Sequence, residues 1–231
     1  MTHALVCLPF AGGGAGFYRA WKDLPDHAPR IVPLQLPGRE ERFIEEPFLD
    51  VVVAADTLAP RIAGLAGDGP IALFGHSLGA VLAYELARRL ERDPAVELTH
   101  LFVSGSPGPW TGRSARATGL PEEEFLARVQ EFAGYEHEAL ADPDMRELLL
   151  PILRADVEMH ENYKPVSEER LSIPVTSLRA TGDALVTREQ AEEWRHATTG
   201  AFHLVEPDGG HMYLIGSPLP IVDAVAAARQ S

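Results

Sequence analysis

The chain has 231 residues, enough for one large α/β domain or two small ones. Its 45% hydrophobic and 23% charged residues are those of an ordinary soluble globular protein and exclude wholesale disorder; no run of about eighteen apolar residues exists to form a membrane span. The net charge of −14, from 34 acidic and 20 basic side chains, argues against nucleic acid or an anionic membrane as a partner.

The first element, "ALVCL" (4–8), reads as a buried strand with no basic segment before it, so a signal peptide is not expected. Its cysteine, Cys7, is the only one in the chain, can form no internal disulfide, and reads as a small buried hydrophobe, which fits a reducing cytoplasm. A glycine-rich loop, "PFAGGGAG", and a short helix, "FYRAWKDL", follow. "RIVPLQL" (30–36) is a strand closed by the turn "PGRE". "DVVVAADTLAPRIAGL" (50–65) has helical spacing, with Pro60 as a point of bending. "IALF" (71–74) is a strand, 78–91 a helix, and "LTHLFVSG" (98–105) another strand. Residues 107–170 carry no strand signal; "PEEEFLARVQEF" and "DPDMRELLLPILRADVEMHENY" are helical, with carboxylates and prolines at their starts. "IPVTSLRAT" (173–181), "TREQAEEWRHAT", "AFHLVEP" (201–207) and "PLPIVDAVAAARQ" complete the alternation as strand, helix, strand, helix. Such alternation predicts a mostly parallel, doubly wound sheet, with 107–170 as a helical insertion.

Gly75-His76-Ser77-Leu78-Gly79, between "IALF" and the helix at 78–91, matches the nucleophile elbow G-x-S-x-G. The turn strains the serine backbone and brings the residues two positions away on each side too close to carry side chains. It lifts the hydroxyl to a helix N-terminus, where an oxyanion is stabilised. A serine at a bend can instead be a cap, and the strand–turn–helix setting favours the nucleophile. A hydroxyl needs a base, which in this arrangement follows later in the chain, after an acid. His211, in "EPDGGHMYL" just after a strand, is the candidate base; a surface histidine in a turn is the alternative. His76 is expected to pack or hydrogen-bond, and His160 and His203 to be structural. Asp183, directly after the strand 173–181, is the candidate acid. Asp208 lies too near His211, and Asp142, Asp144 and Asp156 read as helix caps or helix surface. The oxyanion hole is expected to use the Leu78 amide and one from the loop after the first strand. Pro9 has no N–H, so the second donor is Phe10 or Ala11, with Ala11 favoured. The nine histidines and single cysteine show no metal-ligand spacing, and no metal or bound cofactor is expected.

Seven segments, "LPFAGGGAGFYRAW", "LQLPGREER", "LFGHSLGAVLAYELARRL", "DPDMRELLLPILRADVEMHENY", "TGDALVT", "EQAEEWR" and "GGHMYL", resemble in order the motifs of the type II thioesterases. These are stand-alone α/β hydrolases that accompany modular polyketide and nonribosomal peptide synthases. The resemblance spans nearly the whole chain. It implies one α/β-hydrolase domain over 1–231 with a lid over about 107–170. It also implies hydrolysis of acyl thioesters on the phosphopantetheine arm of acyl or peptidyl carrier proteins, clearing stalled or misprimed groups. The family's nucleophile, acid and base fall on Ser77, Asp183 and His211. Where the family usually reads Asp-Pro-Leu-Val, this chain has Asp183-Ala184-Leu185-Val186, which should free that loop slightly. Arg39, in "LPGREER", belongs to the motif without an assigned role. Carrier proteins are themselves commonly acidic, so docking should rest on apolar lid contacts and a local basic patch. Arg113 and Arg116 could form that patch, or a solvated loop. The competing functions are a free small-molecule esterase and a non-catalytic binding protein with a hydrolase fold.

Overall fold

A computed structural model of the protein describes residues 4–66, 69–112, 116–133 and 138–229. Its centre is a sheet of β1 (Ala4–Leu8), β2 (Arg30–Pro33), β3 (Ile71–His76), β4 (Leu98–Ser104), β5 (Val175–Leu178) and β6 (Phe202–Val205). The spatial order is β2-β1-β3-β4-β5-β6, and every neighbouring pair is parallel. Parallel strands need crossover connections that cover both faces, so the central strands are mostly apolar. All five residues of β1 and all six of β3 are buried.

The crossovers and flanks are α1 (Ala15–Arg19), α2 (Val51–Ala66), α3 (Leu78–Leu90), α4 (Glu122–Ala133), α5 (Glu138–Ala141), α6 (Pro143–Asn162), α7 (Arg188–Glu192), α8 (Tyr213–Gly216) and α9 (Leu219–Ala228). A 3₁₀ turn at Glu40–Arg42 follows β2, and another at Glu193–Ala197 extends α7. α2 runs through Pro60. On one face of the sheet the core joins Val6 and Leu73 to α2 and α3 through Leu58, Ile62, Leu82 and Leu86. On the other, Leu5, Phe74 and Phe102 pack with Tyr18, Ile221 and Val225. Cys7 is one of the residues buried on this second face, where burial pushes its thiol pKa far up, as suits a small hydrophobe.

Two sequence expectations shift at the edges. The helix read in "FYRAWKDL" begins earlier and ends at Arg19, because Asp23 takes a positive φ of 54° and Pro25 follows. The strands at 30–36 and 173–181 are shorter, ending at Pro33 and Leu178, with β5 starting only at Val175. Beyond these ends isolated backbone bonds persist, from Leu34 N–H to the Cys7 carbonyl and from Arg179 N–H to the Val205 carbonyl.

The chain runs from β1 outward to β2, then returns across β1 to β3 and continues in one direction. Ligands of open parallel sheets bind beyond the strand C-termini where the order reverses. Here that place lies between the ends of β1 and β3, which carry "LPFAGGG" and Gly75–Gly79. Between β4 and β5 the chain forms α4, α5 and α6. Phe125 and Phe132 of α4 bury against Leu150, Leu153 and Val157 of α6. Ala11, from the loop after β1, and Leu185, from the loop after β5, pack on the same cluster. The helical block therefore rests on loops from both sides of the switch point.

Candidate active site

Ser77 occupies the corner between β3 and α3 with φ 54° and ψ −116°. A non-glycine residue holds such a conformation only at a cost of about 1–3 kcal/mol, which the surroundings must offset. The glycines show how tight the corner is. A Cβ on Gly75 would lie 1.8 Å from the Gly79 carbonyl oxygen. A Cβ on Gly79 would lie 2.6 Å from the Leu8 carbonyl oxygen and 2.8 Å from that of Pro9. Ser77 is formally the N-cap of α3, yet its hydroxyl makes no capping hydrogen bond. An ordinary N-cap serine would accept from the second or third helical amide. The hydroxyl is thus left available for chemistry, and Ser77 N–H anchors the corner on the Ser104 carbonyl, 2.8 Å away.

His211 and Asp183 meet beside it. His211 Nδ1 lies 2.9 Å from Asp183 Oδ2. The other oxygen, Oδ1, accepts from Leu185 N–H at 2.8 Å and Val186 N–H at 3.1 Å. Burial alone would raise the Asp183 carboxyl pKa. The hydrogen bond and charge of His211 and the two amides outweigh it and hold the group below the ordinary carboxylate range. An ionised carboxylate only accepts, so Nδ1 carries the donated proton, and in the neutral form of the ring it is Nε2 that has the lone pair. The loops bearing the two side chains are tied by Gly182 N–H to the Gly209 carbonyl, 2.9 Å, and Thr181 N–H to the Pro207 carbonyl, 2.8 Å. Where the proline is missing at 184, Asp183 itself bonds the backbone that follows it.

Gly105, at the end of β4, joins the two halves of the site. Its φ is 56°, and a Cβ there would lie 2.5 Å from His76 Cε1 and 3.0 Å from His211 Cε1. The His76 and His211 rings are 4.8 Å apart. Ser77, bonded to Ser104, and His211, packed on Gly105, thus face one corner. Among the described residues no hydrogen bond joins Ser77 Oγ to His211, which is bonded to Asp183. Catalytic hydrogen bonds are often long until the reacting complex forms.

The loop after β1 supplies amides. Gly13 N–H bonds back to the Phe10 carbonyl at 2.9 Å, closing a turn. Gly12 N–H donates to Asp156 Oδ2 at 2.8 Å. A trans peptide directs its C=O and N–H oppositely, and among the described residues no peptide bond is cis. With the Phe10 carbonyl engaged inside the turn, Ala11 N–H points out of it. Leu78, the first residue of α3, has no intrahelical acceptor for its amide. The close approach of Gly79 to Leu8 and Pro9 sets these two amides at neighbouring backbone segments.

The remaining histidines and aspartates fall mostly where the sequence put them. His76 Nδ1 is 2.9 Å from Ser104 Oγ, itself 2.9 Å from Tyr213 Oη. His203 lies exposed on β6 and Asp208 exposed in its loop. Asp142 caps α6, accepting from Asp144 and Met145 amides. Asp156 is a correction: it is 1% exposed and receives Arg39 at 2.6 and 2.8 Å. Stranding either charge would cost about 3–5 kcal/mol. Arg39, buried as well, also donates to the Gly13 carbonyl at 2.9 Å. Arg39, Asp156 and Gly105 were the site residues the sequence reading missed. For Arg39 the only signal was its place in "LPGREER". Of the basic patch, Arg113 lies outside the described residues. Arg116 bonds Asn162 at 2.7 Å and Glu161 at 3.5 Å, so its charge is already paired. Among the described residues no cluster of three or more His, Cys, Asp or Glu is placed to hold a metal ion, and no helix is long and apolar enough to cross a membrane.

Comparison with known proteins points one way. The family model described as thioesterase domain matches residues 3–228. The gramicidin S biosynthesis protein GrsT of Aneurinibacillus migulanus is 32% identical over 220 residues, covering 95% of this chain and 86% of that protein. Thioesterase PikA5 of Streptomyces venezuelae is 33% identical over 210 residues, covering 91% and 75%. The solved type II thioesterase BorB, from the borrelidin biosynthetic cluster, superposes with a TM-score of 0.86 at 35% identity, covering 99% of this chain and 93% of that one.

Proposed function

Because the chain belongs to the thioesterase domain family, and is a thioester hydrolase of the α/β-hydrolase fold, we propose that it removes acyl groups from the phosphopantetheine arm of carrier proteins, as an editing enzyme of a polyketide or nonribosomal peptide synthase. The observation that carries the catalytic assignment is Ser77: a strained helix N-cap whose hydroxyl caps nothing, beside a histidine already oriented by a carboxylate.

In this reading His211 Nε2 takes the Ser77 proton as Oγ attacks the thioester carbonyl. The negative oxygen that forms is met by the Leu78 and Ala11 N–H groups. Collapse breaks the C–S bond, and the pantetheine sulfur leaves with the proton held by His211. Water then attacks the acyl-serine with His211 again as base, releasing the free acid and restoring Ser77. Asp183 holds the tautomer and stabilises imidazolium without taking the proton. Residues 1–231 act as one hydrolase domain, and 107–170 as a lid whose apolar cluster walls the acyl site. The protein supplies no metal or cofactor; the pantetheine arrives with the partner, in the cytoplasm.

The test combines labelling and turnover. A fluorophosphonate should modify Ser77 alone, as read by peptide mass spectrometry. Ser77→Ala should keep its circular dichroism and lose turnover by about 10⁶-fold, leaving only binding and the oxyanion hole. A carrier-bound acyl thioester should be cleaved far faster than the matched free ester. Label on another residue would overturn the nucleophile, and equal rates on the two substrates would make the protein a free esterase.

A further inference from the structure

The buried pair Arg39–Asp156 lies outside the triad, and its contacts are concentrated on one feature. Asp156 is on α6 and accepts Gly12 N–H through Oδ2, the same oxygen that Arg39 Nη1 reaches at 2.6 Å. Arg39 Nη1 also donates to the Gly13 carbonyl, while Nη2 holds Asp156 Oδ1 at 2.8 Å. Leu153, one turn before Asp156 and so on the same face of α6, brings its Cδ1 to 3.1 Å of where a Cβ on Gly12 would stand. Gly12 has a φ of 75°, which leaves its backbone little alternative conformation once the amide and the following carbonyl are held. The flanking residues of "LQLPGREE" complete the clamp. Gln35 Oε1 accepts Ala15 N–H at 2.9 Å, and Glu40 accepts Gly16 N–H at 2.9 Å. Thus the turn Phe10–Gly13 is fixed at Gly12 N–H, at Gly13 C=O and just beyond its end, by groups from two distant segments.

A turn whose Gly12 and Gly13 peptides are fixed leaves its Phe10 carbonyl on Gly13 N–H. Planarity then fixes the direction of Ala11 N–H. From this we infer that Arg39 and Asp156 are positioning residues for the oxyanion hole, aiming the Ala11 amide at the developing negative charge and making that aim depend on α6 being docked. The inference rests on the reading of Ala11 as the second donor. A charged, bidentate, buried pair suits the task, because two parallel hydrogen bonds fix direction as well as distance. A lysine at 39 offers a point charge and cannot replace it.

The experiment uses the full chain, a propionyl N-acetylcysteamine thioester as substrate, and a trifluoromethyl ketone that forms a tetrahedral adduct on serine. Rates are expressed per serine titrated to completion with a fluorophosphonate, so unfolded protein does not count. The double variant Arg39→Met with Asp156→Leu exchanges the pair for apolar groups, a change that buried pairs often tolerate. We expect kcat to fall about a hundredfold, as for loss of one oxyanion donor, with KM unchanged and the ketone inhibition constant rising in parallel. Should that variant not fold, Asp156→Asn, which keeps an acceptor for Gly12, should show a smaller loss of the same kind. Normal kcat per titrated site in a folded variant would overturn the inference. So would a lower kcat with unchanged ketone affinity, since a merely structural role gives no parallel loss. Replacing Ala11 by lactate, which deletes that N–H while keeping the side chain, separates the two readings. Full activity of the lactate protein would remove Ala11 as donor. A slow lactate protein beside a fast Arg39/Asp156 variant would sink only the positioning role.

Discussion

At the scale of single residues, Asp183 illustrates how one carboxylate serves two purposes. Oδ2 orients His211, and Oδ1 braces its own loop through Leu185 and Val186. Asp183→Asn should retain the fold, because an amide oxygen can still accept from that loop, while kcat falls about ten-thousand-fold through loss of tautomer control. Near-normal turnover in stopped-flow assays would move the role elsewhere, with Asp208 next in line. The lowered pKa also has a consequence for stability. A carboxyl held below its unfolded value of about 3.9 favours the folded state at every pH above that value. This contribution fades as pH drops through the lower folded value. Urea unfolding should therefore show a gap between wild type and Asp183→Asn that is constant near neutrality and narrows below about pH 4. The strand-end positions of the proposed residues Ser77, Asp183 and His211 were legible in the sequence, because each lies next to a local signature. Asp156 was not. Its partner lies 117 residues away, and an aspartate in a helix gives no sign of whether it faces water or an arginine.

The helices between β4 and β5 divide by what holds them. α6 is anchored to the body: Asp156 bonds Arg39, Met159 lies in the main core, and Tyr163, just past its end, donates to Glu85 of α3 at 3.0 Å. α4 shares an apolar cluster with α6, through Phe125 and Phe132, and the Arg154 guanidinium lies over the Phe125 ring. Opening of a lid should therefore involve α4 far more than α6. Amide exchange followed by mass spectrometry should rank α4 fastest, α6 intermediate and α3 slowest, with Gly12 following α6. Uniformly slow exchange over the described parts of 107–170 would leave a static wall in place of a lid. The helical spacing of Phe125, Val129 and Phe132 announced an apolar face. It gave no hint that the face would be shared with Ala11 and Leu185, because contacts between distant loops have no period to read.

On the scale of the whole molecule, charge is the dominant fact. A net charge of −14 repels an acidic carrier at long range, so encounter must work against the field. Raising ionic strength from about 0.01 M to about 0.15 M shortens the Debye length from about 30 Å to about 8 Å. The kcat/KM for an acidic carrier-bound thioester should then rise, while that for a neutral N-acetylcysteamine thioester stays level. A fall for the carrier substrate would reveal a local basic docking patch strong enough to reverse the overall field. The parallel sheet followed from strand–helix alternation, since only crossover connections fit that pattern, whereas the order of its strands has no such signal in the sequence. Strands β2 and β5 were read as too long because a sequence does not mark where regular pairing gives way to a loop.

The elbow has a bearing on how this protein can change over generations. Gly75, Gly79, Leu8 and Pro9 meet through backbone atoms, and no side-chain substitution at Leu8 or Pro9 alters the carbonyls that Gly79 approaches. The reacting corner is in that sense insulated from drift in its neighbours, whereas the wall formed by Phe125, Leu150 and Leu153 is made wholly of replaceable side chains. On the proposed reading, descendants of such a chain are free to try new acyl groups by exchanging a few apolar residues of the wall, while the backbone corner that holds Ser77 is inherited intact.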